Sequence, residues 1–254
     1  MSKVVFIGAG PGDPELITVK GKKWLEKADV VIYAGSLLNP EILKYCKPDA
    51  ELYDSATMNL PEVLKVMADA AKSGKLVVRV HDGDPSFYGA IQEQMDLLDK
   101  EGIAYFRIPG VSCLQGAAGS LNRELTLPNV SQTVIITRPE GRTPVPKTES
   151  IAELAKHQAT MVIFLGTPHI AKVVADLQKG GYPADTPAAV VYRATWPGQE
   201  KIVKGTLSDI VTKVKAKGIT ETALIFVGKV LNPQAYDYSK LYDPAFTTGF
   251  RKGA

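Results

Sequence analysis

The first half of the chain alternates short β-branched runs with stretches of helical period, and this alternation limits the possible folds more than any other feature. The runs are VVFIG (4–8), DVVIYAG (29–35), AELYDS (50–55), KLVVRV (75–80) and AYFRIPG (104–110), rich in Val, Ile and Tyr. Between them, Thr18 can cap a helix running to about Lys27. Residues 61–73 repeat apolar positions at helical spacing (Val63, Leu64, Met67, Ala70), and 89–101 does the same through Ile91, Met95 and Leu98. Strands that alternate with helices predict an α/β fold with a parallel sheet. The near-continuous apolar character of VVFI and LVVRV predicts that this sheet is covered on both faces.

The second half restarts the theme with QTVIITR (132–138), TMVIFLG (160–166), AAVVYRA (188–194), KIVKG (201–205) and ALIFVGKV (223–230). Helices are expected near 149–157, 168–180 and 207–217. Between the halves, GAAGSLNRELTLPN (116–129) mixes a short helical piece with Pro128-Asn129, and RPEGRTPVPKTES (138–150) is a polar, proline-rich loop. The 254 residues suit two domains of moderate size. The expected boundary falls near residue 120, giving an N-terminal domain over 1–120, a C-terminal domain over 121–240 and a tail over 241–254. From Tyr236 onward no period is visible, which predicts a segment lying on the surface or fraying.

Composition excludes several function classes. A net charge of +3 without a basic stripe argues against a nucleic-acid partner. Lys201, Lys204, Lys213, Lys215 and Lys217 are spread over a strand and a helix and read as a solvated face. Cys46 and Cys113 lie far apart with no partner motif, so neither a disulfide framework nor a zinc site is indicated and a reducing compartment fits. His81, His157 and His169 show no metal-ligand spacing. No apolar run approaches the roughly 18 residues of a membrane span, and no cleavage signal follows Met1. A cytoplasmic location with no membrane, metal or nucleic-acid partner is the expectation. No G-x-S-x-G elbow or acid–histidine pattern suggests a covalent nucleophile.

Open α/β sheets bind ligands at the carboxyl ends of their strands, so the segments after each strand carry the chemistry. The first is GAGPGDPELIT (8–18), whose glycines at Gly8, Gly10 and Gly12 resemble a phosphate cradle at first sight. A dinucleotide fingerprint needs G-x-G-x-x-G, and here the third glycine comes one position early. Pro11 has no N–H to give an anion, and Asp13 adds a negative charge where one would sit. The strand ending in Tyr33-Ala34-Gly35 also lacks the acidic residue of a nucleotide-binding oxidoreductase. HDGDPSFYG (81–89), PGVSC (109–113), FLG (164–166) and YRATWPGQ (192–199) occupy further strand ends, mixing glycine and small residues with aromatics and few charges. Backbone groups and aromatic faces suit a ligand with an adenine ring and a cation, such as S-adenosylmethionine, better than one with phosphates.

Taken in order, VVFIGAGPGDPELIT, VHDGDPSFYG, IPGVSC and YRATWPGQ resemble the tetrapyrrole (corrin/porphyrin) methyltransferase family over nearly the whole chain. The stretches YAGSLLNPEIL (33–43) and DSATMNLPEV (54–63) are most similar to its members that methylate C-11 of precorrin-4 or cobalt-precorrin-4 in cobalamin biosynthesis. The resemblance implies two α/β domains, the first sheet parallel and the second mixed, with the active site in the cleft between them. It also implies S-adenosylmethionine as cofactor, a small tetrapyrrole substrate and a homodimer. The cofactor contacts it carries over are Pro11, Asp82, Gly83, Asp84, Phe87, Ser112, Cys113, Leu165 and Ala194. The uroporphyrinogen-III methyltransferases of the family, one alternative reading, have an acidic residue proposed as proton acceptor where this chain has Ala34, so no catalytic base carries over. Methylases of the same fold that act on RNA or protein are a further alternative, disfavoured by the charge. The many carboxylates of a tetrapyrrole make Arg79, Arg107, Arg123, Arg138 and Arg193, at or near strand ends, candidates for pairing.

Overall fold

The computed structural model describes residues 3–254, which form ten strands and seven α-helices in two units. The first unit takes the chain up to Ser120 together with Arg193–Glu200; the second takes Leu121–Tyr192 and Lys201–Ala254.

The first unit holds β1 (Val4–Gly8), β2 (Val30–Tyr33), β3 (Glu51–Asp54), β4 (Val77–His81) and β5 (Tyr105–Ile108), all parallel in the order β3-β2-β4-β1-β5. The helices α1 (Val19–Leu25), α2 (Leu60–Lys72) and α3 (Gln92–Lys100) fall where local signals place them, and α4 (Cys113–Leu121) begins ahead of the helical piece expected within 116–129. Thr18 caps α1 by accepting the Gly21 N–H at 3.1 Å. Asn59 and Glu62 form a reciprocal capping box at α2, satisfying two N–H groups that the helix start leaves without partners.

Strand alternation sorts the core into two layers. Val4, Phe6, Val30, Ile32 and Val77 face α2 and α3, burying Val63, Met67, Met95 and Leu98. Val5, Ile7, Val31, Val78 and Val80 face the opposite way, against Leu25 and Ile42. The sheet is thus apolar on both faces, as VVFI and LVVRV predict. From β1 the chain leads to β2 on one side of the sheet, and from β4 to β5 on the other. β1 and β4 are neighbours whose outgoing connections diverge, which opens a crevice at their carboxyl ends.

The second unit has β6 (Val134–Thr137), β7 (Thr160–Ile163), β8 (Pro187–Tyr192), β9 (Lys201–Thr206) and β10 (Ala223–Val227) in the order β6-β7-β10-β8-β9. β6 and β7 are parallel and the other pairs antiparallel, giving the mixed sheet. Its helices α5 (Ile151–Ala155), α6 (Ile170–Lys179) and α7 (Ile210–Ala216) bury Ala155, Val173, Leu177 and Val214 against that sheet. Residues 236–254 carry one short 3-10 turn (Lys240–Tyr242) and expose Tyr238, Tyr242 and Phe250. No helix among the described residues is long and apolar enough to cross a membrane.

Two local features escape period reading. Pro40–Tyr45 is a 3-10 helix capped by Asn39, too short for a repeat to show. Helix α4 starts at Cys113, directly after the Pro109-Gly110 turn, because Ser112 Oγ accepts the Leu114 N–H at its first turn.

Candidate active site

Three strand ends of the first unit meet at glycine. Gly8 closes β1, and Gly110 and Gly83 follow β5 and β4; a Cβ at Gly8 or Gly110 would overlap the Gly83 carbonyl oxygen. Gly10 and Gly83 then pair as an isolated bridge, the Gly83 N–H donating to Gly10 O at 2.8 Å. The loop after β1 is thereby laid against the loop after β4. Asp84 ties in the third loop: its Oδ2 accepts the Gly110 N–H at 2.7 Å and its Oδ1 the Ser86 N–H at 2.8 Å. That carboxylate is occupied in holding β4 and β5 loops together.

Between the loop after β1 and the segment after β2 lies a small hollow, to which the loop after β4 adds one residue; it is lined by Ala9–Gly12, Leu37–Asn39, Ile42 and Asp82. Asn39 fixes its rim, donating from Nδ2 to Gly12 O at 2.8 Å while its Oδ1 accepts the Glu41 N–H. Asp82 is the one ionisable group of the lining. It lies half-buried, and its side-chain partner is the Cys113 thiol, which donates to Oδ2 at 3.8 Å. Burial pushes the Asp82 carboxyl above the usual carboxylate range. Burial, with Asp82 beside it, pushes the Cys113 thiol up as well, so that thiol is no nucleophile at neutral pH.

Of the residues expected from the sequence, Pro11 and Asp82 line the hollow, and Gly83, Ser112, Cys113 and Ala194 lie against the loops that form it. Pro11 packs so closely on α4 that a Cβ at Gly116 would come within 2.5 Å of the proline Cβ. Ser112 is buried, and Cys113 N lies against Gly83, which takes φ 56°. Ala194 is buried in the segment Arg193–Glu200, with its carbonyl oxygen beside Gly12. Phe87 donates its N–H to Asp84 O and is 39% exposed, so it stands outside the hollow's lining. Leu165 belongs to the second unit, after β7, at φ 53° and 57% exposed.

The sequence reading missed Asn39, Leu38 and Ile42 as lining residues, although Asn39-Pro40 is a turn signal directly after a strand end. Thr195 and Trp196 fall inside the YRATWPGQ segment without being singled out, and Glu200 lies one residue beyond it; their contacts are ones no spacing encodes.

The arginine candidates are narrowed. Arg79 is 6% exposed inside the α2/α3 layer, donating to Ile32 O, Val80 O and Gln94 Oε1, so it braces the sheet and offers nothing to a carboxylate. Burial lowers its guanidinium to about 10. Arg138 holds its own loop through Pro139, Thr143 and Pro144 carbonyls. Arg193 stacks on the Trp196 ring at 4.8 Å and bonds Gln199. Arg107 and Arg123 are exposed. His81, two residues beyond Arg79 on the same face of β4, is 4% exposed, stacks on Phe6 and leaves Nε2 without a partner. Burial, with Arg79 adding to it, lowers its pKa to about 3, so this imidazole is neutral at pH 7.

A carboxyl without a cation, backbone carbonyls and apolar walls fit a small cationic ligand. The Pro11 loop, lacking an N–H at its centre, does not fit a diphosphate. The comparisons agree. The sequence profile of the tetrapyrrole (corrin/porphyrin) methylases matches residues 3–211. A cobalt-precorrin-4 C(11)-methyltransferase of Methanocaldococcus jannaschii is 62% identical over 250 residues, covering 98% of this chain and 96% of its own. The X-ray structure of a cobalt-precorrin-4 methyltransferase, a cobalamin biosynthetic enzyme, superposes with a TM-score of 0.88 at 48% identity, over 91% of this chain and 96% of that one. A uroporphyrin-III C-methyltransferase of Thermus thermophilus, solved in complex with S-adenosylhomocysteine, gives a TM-score of 0.75 at 25% identity, over 91% and 99%.

Proposed function

This chain belongs to the tetrapyrrole (corrin/porphyrin) methylases, and from that premise we propose that it methylates C-11 of cobalt-precorrin-4, or of its metal-free counterpart, in cobalamin biosynthesis. The observation that carries the reading is the hollow at the β1, β2 and β4 strand ends, whose single ionisable group, Asp82, is a carboxyl with no cationic partner. S-adenosylmethionine, when bound, supplies a methyl group already activated by its sulfonium charge.

The chain's own residues have three tasks. Asp82 offers a carboxyl to the ligand's positive charge beside Pro11, and Gly83, Ser112, Cys113 and Ala194 pack against the loops that carry these two residues. Leu38 and Ile42 exclude water from the hollow floor, which favours a reaction that neutralises charge. The glycine contacts and Asp84 fix the loops, so that orientation costs little at the moment of reaction. The reading includes contacts from Phe87 and Leu165, a homodimer and a cytoplasmic site of action.

Incubation with methyl-labelled S-adenosylmethionine and precorrin-4, with and without cobalt, tests it. Label at C-11, with cobalt-precorrin-4 the better substrate, is the expected result; label at another carbon overturns the assignment.

A further inference from the structure

Within the first unit, the Pro11–Asp13 backbone is held from the side opposite Asn39 by a short segment that contains no residue of the hollow's lining. The Asp13 N–H donates to Thr195 Oγ1 at 3.1 Å, and Trp196, buried, lies so close to Gly12 that a Cβ there would overlap its indole. Thr195 itself takes φ 65°, a left-handed conformation that is a genuine outlier for a β-branched side chain. The Glu200 carboxylate holds it there. Its N–H donates to Glu200 Oε2 at 2.6 Å, and the same oxygen accepts the Ser120 hydroxyl of α4 at 2.5 Å. The Thr195 methyl also lies beside Gly116, the helix position on which Pro11 packs. Glu200 therefore fixes Thr195, and Thr195 fixes the loop that rims the hollow.

We propose that Thr195 and Glu200 are positioning residues for the methyl-donor site: the hydroxyl of Thr195, held in a strained backbone conformation by the Glu200 carboxylate, sets the Pro11–Asp13 backbone in its ligand-binding geometry. Backbone outliers persist where surrounding bonds over-determine them, and they concentrate at ligand clamps. This inference rests on the S-adenosylmethionine reading above.

The test uses the whole chain and S-adenosylhomocysteine as the probe, measured by calorimetry, with thermal unfolding of each variant alongside. Thr195→Val keeps shape and β-branching and removes only the acceptor for the Asp13 N–H. It should weaken binding by about fivefold to tenfold, the loss expected for one partly buried hydrogen bond. KM for S-adenosylmethionine should rise similarly while kcat at saturation stays within about twofold of the parent. Thr195→Ser, which keeps the hydroxyl, should restore affinity. Glu200→Ala should weaken binding in the same direction, and the double variant Thr195→Val/Glu200→Ala should lose less than the sum of the singles, since both act through one contact. Unchanged affinity in Thr195→Val, an equal loss in Thr195→Ser, or additive losses would overturn the proposal and leave the segment a packing element. Failure of the parent protein to bind S-adenosylhomocysteine is a different outcome, and it would remove the methyl-donor reading together with this inference.

Discussion

At the scale of single residues, two adjacent ionisable groups, His81 just outside the hollow and Asp82 within its lining, behave in opposite ways. Asp82 carries a raised pKa because burial penalises its charged form and no cation compensates. A cationic ligand would supply that compensation, so Asp82→Asn should weaken S-adenosylmethionine binding by about tenfold, a loss typical of a charge-assisted bond and readable by calorimetry. His81 has a lowered pKa, about 3 against 6.5 for the free side chain. The unfolded chain therefore takes up a proton at His81 below about pH 6.5 while the folded chain does not. Stability from this residue is complete above that pH and falls by about 1.4 kcal/mol per unit as the pH drops toward 3. Asp82, protonated more readily when folded, works in the other direction, its contribution falling as the pH rises above the ordinary carboxylate range. The informative measurement is thus a comparison: urea unfolding between pH 7 and 4 should show a shallower loss in His81→Leu than in the parent chain.

Among the elements, helix α2 shows local chemistry acting where the sequence announces it. Asn59 accepts the Glu62 N–H at 3.0 Å and Glu62 returns the bond to the Asn59 N–H at 2.8 Å. Asn59→Ala should cost about 1 kcal/mol of stability, measured by denaturant midpoint, with no change in ligand affinity because α2 supplies no residue to the hollow. A larger loss, or one confined to affinity, would show that the cap does more than end the helix. The strand-end loops behave differently. GAGPGDPELIT gives no hint of how Gly10 pairs with Gly83, or that Gly12 faces an indole from residue 196. Each glycine is visible in the sequence; its neighbour is not.

On the scale of the whole molecule, ligand binding and folding are linked. If the native first unit binds S-adenosylhomocysteine and the unfolded chain does not, ligand at one hundred times Kd should stabilise the fold by about 2.7 kcal/mol. A rise in Tm with ligand concentration checks this, and its absence at concentrations that saturate calorimetry would show that the unfolded chain binds the ligand as well. The family match over residues 3–211 and the superposition on a cobalt-precorrin-4 methyltransferase place this hollow on a known scaffold. The motif order alone had already suggested that scaffold.

Runs of β-branched residues and helical-period patterning marked all ten strands and every α-helix but α4, because burial in a covered sheet or on a helix face is a local demand that each segment must satisfy by itself. The same pattern accounts for the two covered faces of the first sheet. The mixed pairing of the second sheet is a different matter, since strand order and direction depend on which distant edge each strand meets. Tertiary structure alone decided that Arg79 braces the sheet, although its place near a strand end made it a candidate for carboxylate binding: only packing tells which face of β4 is sealed by α3. It alone decided that Asp82 faces the hollow while Asp84, two residues on, is spent on the Gly110 N–H. It also brought Thr195 and Glu200 to a loop some 180 residues earlier, where the Asp13 N–H meets Thr195 across a sequence separation of 182. Hydrogen bonds of that range depend on the path of the intervening chain, a global property that the residue types at either end do not contain.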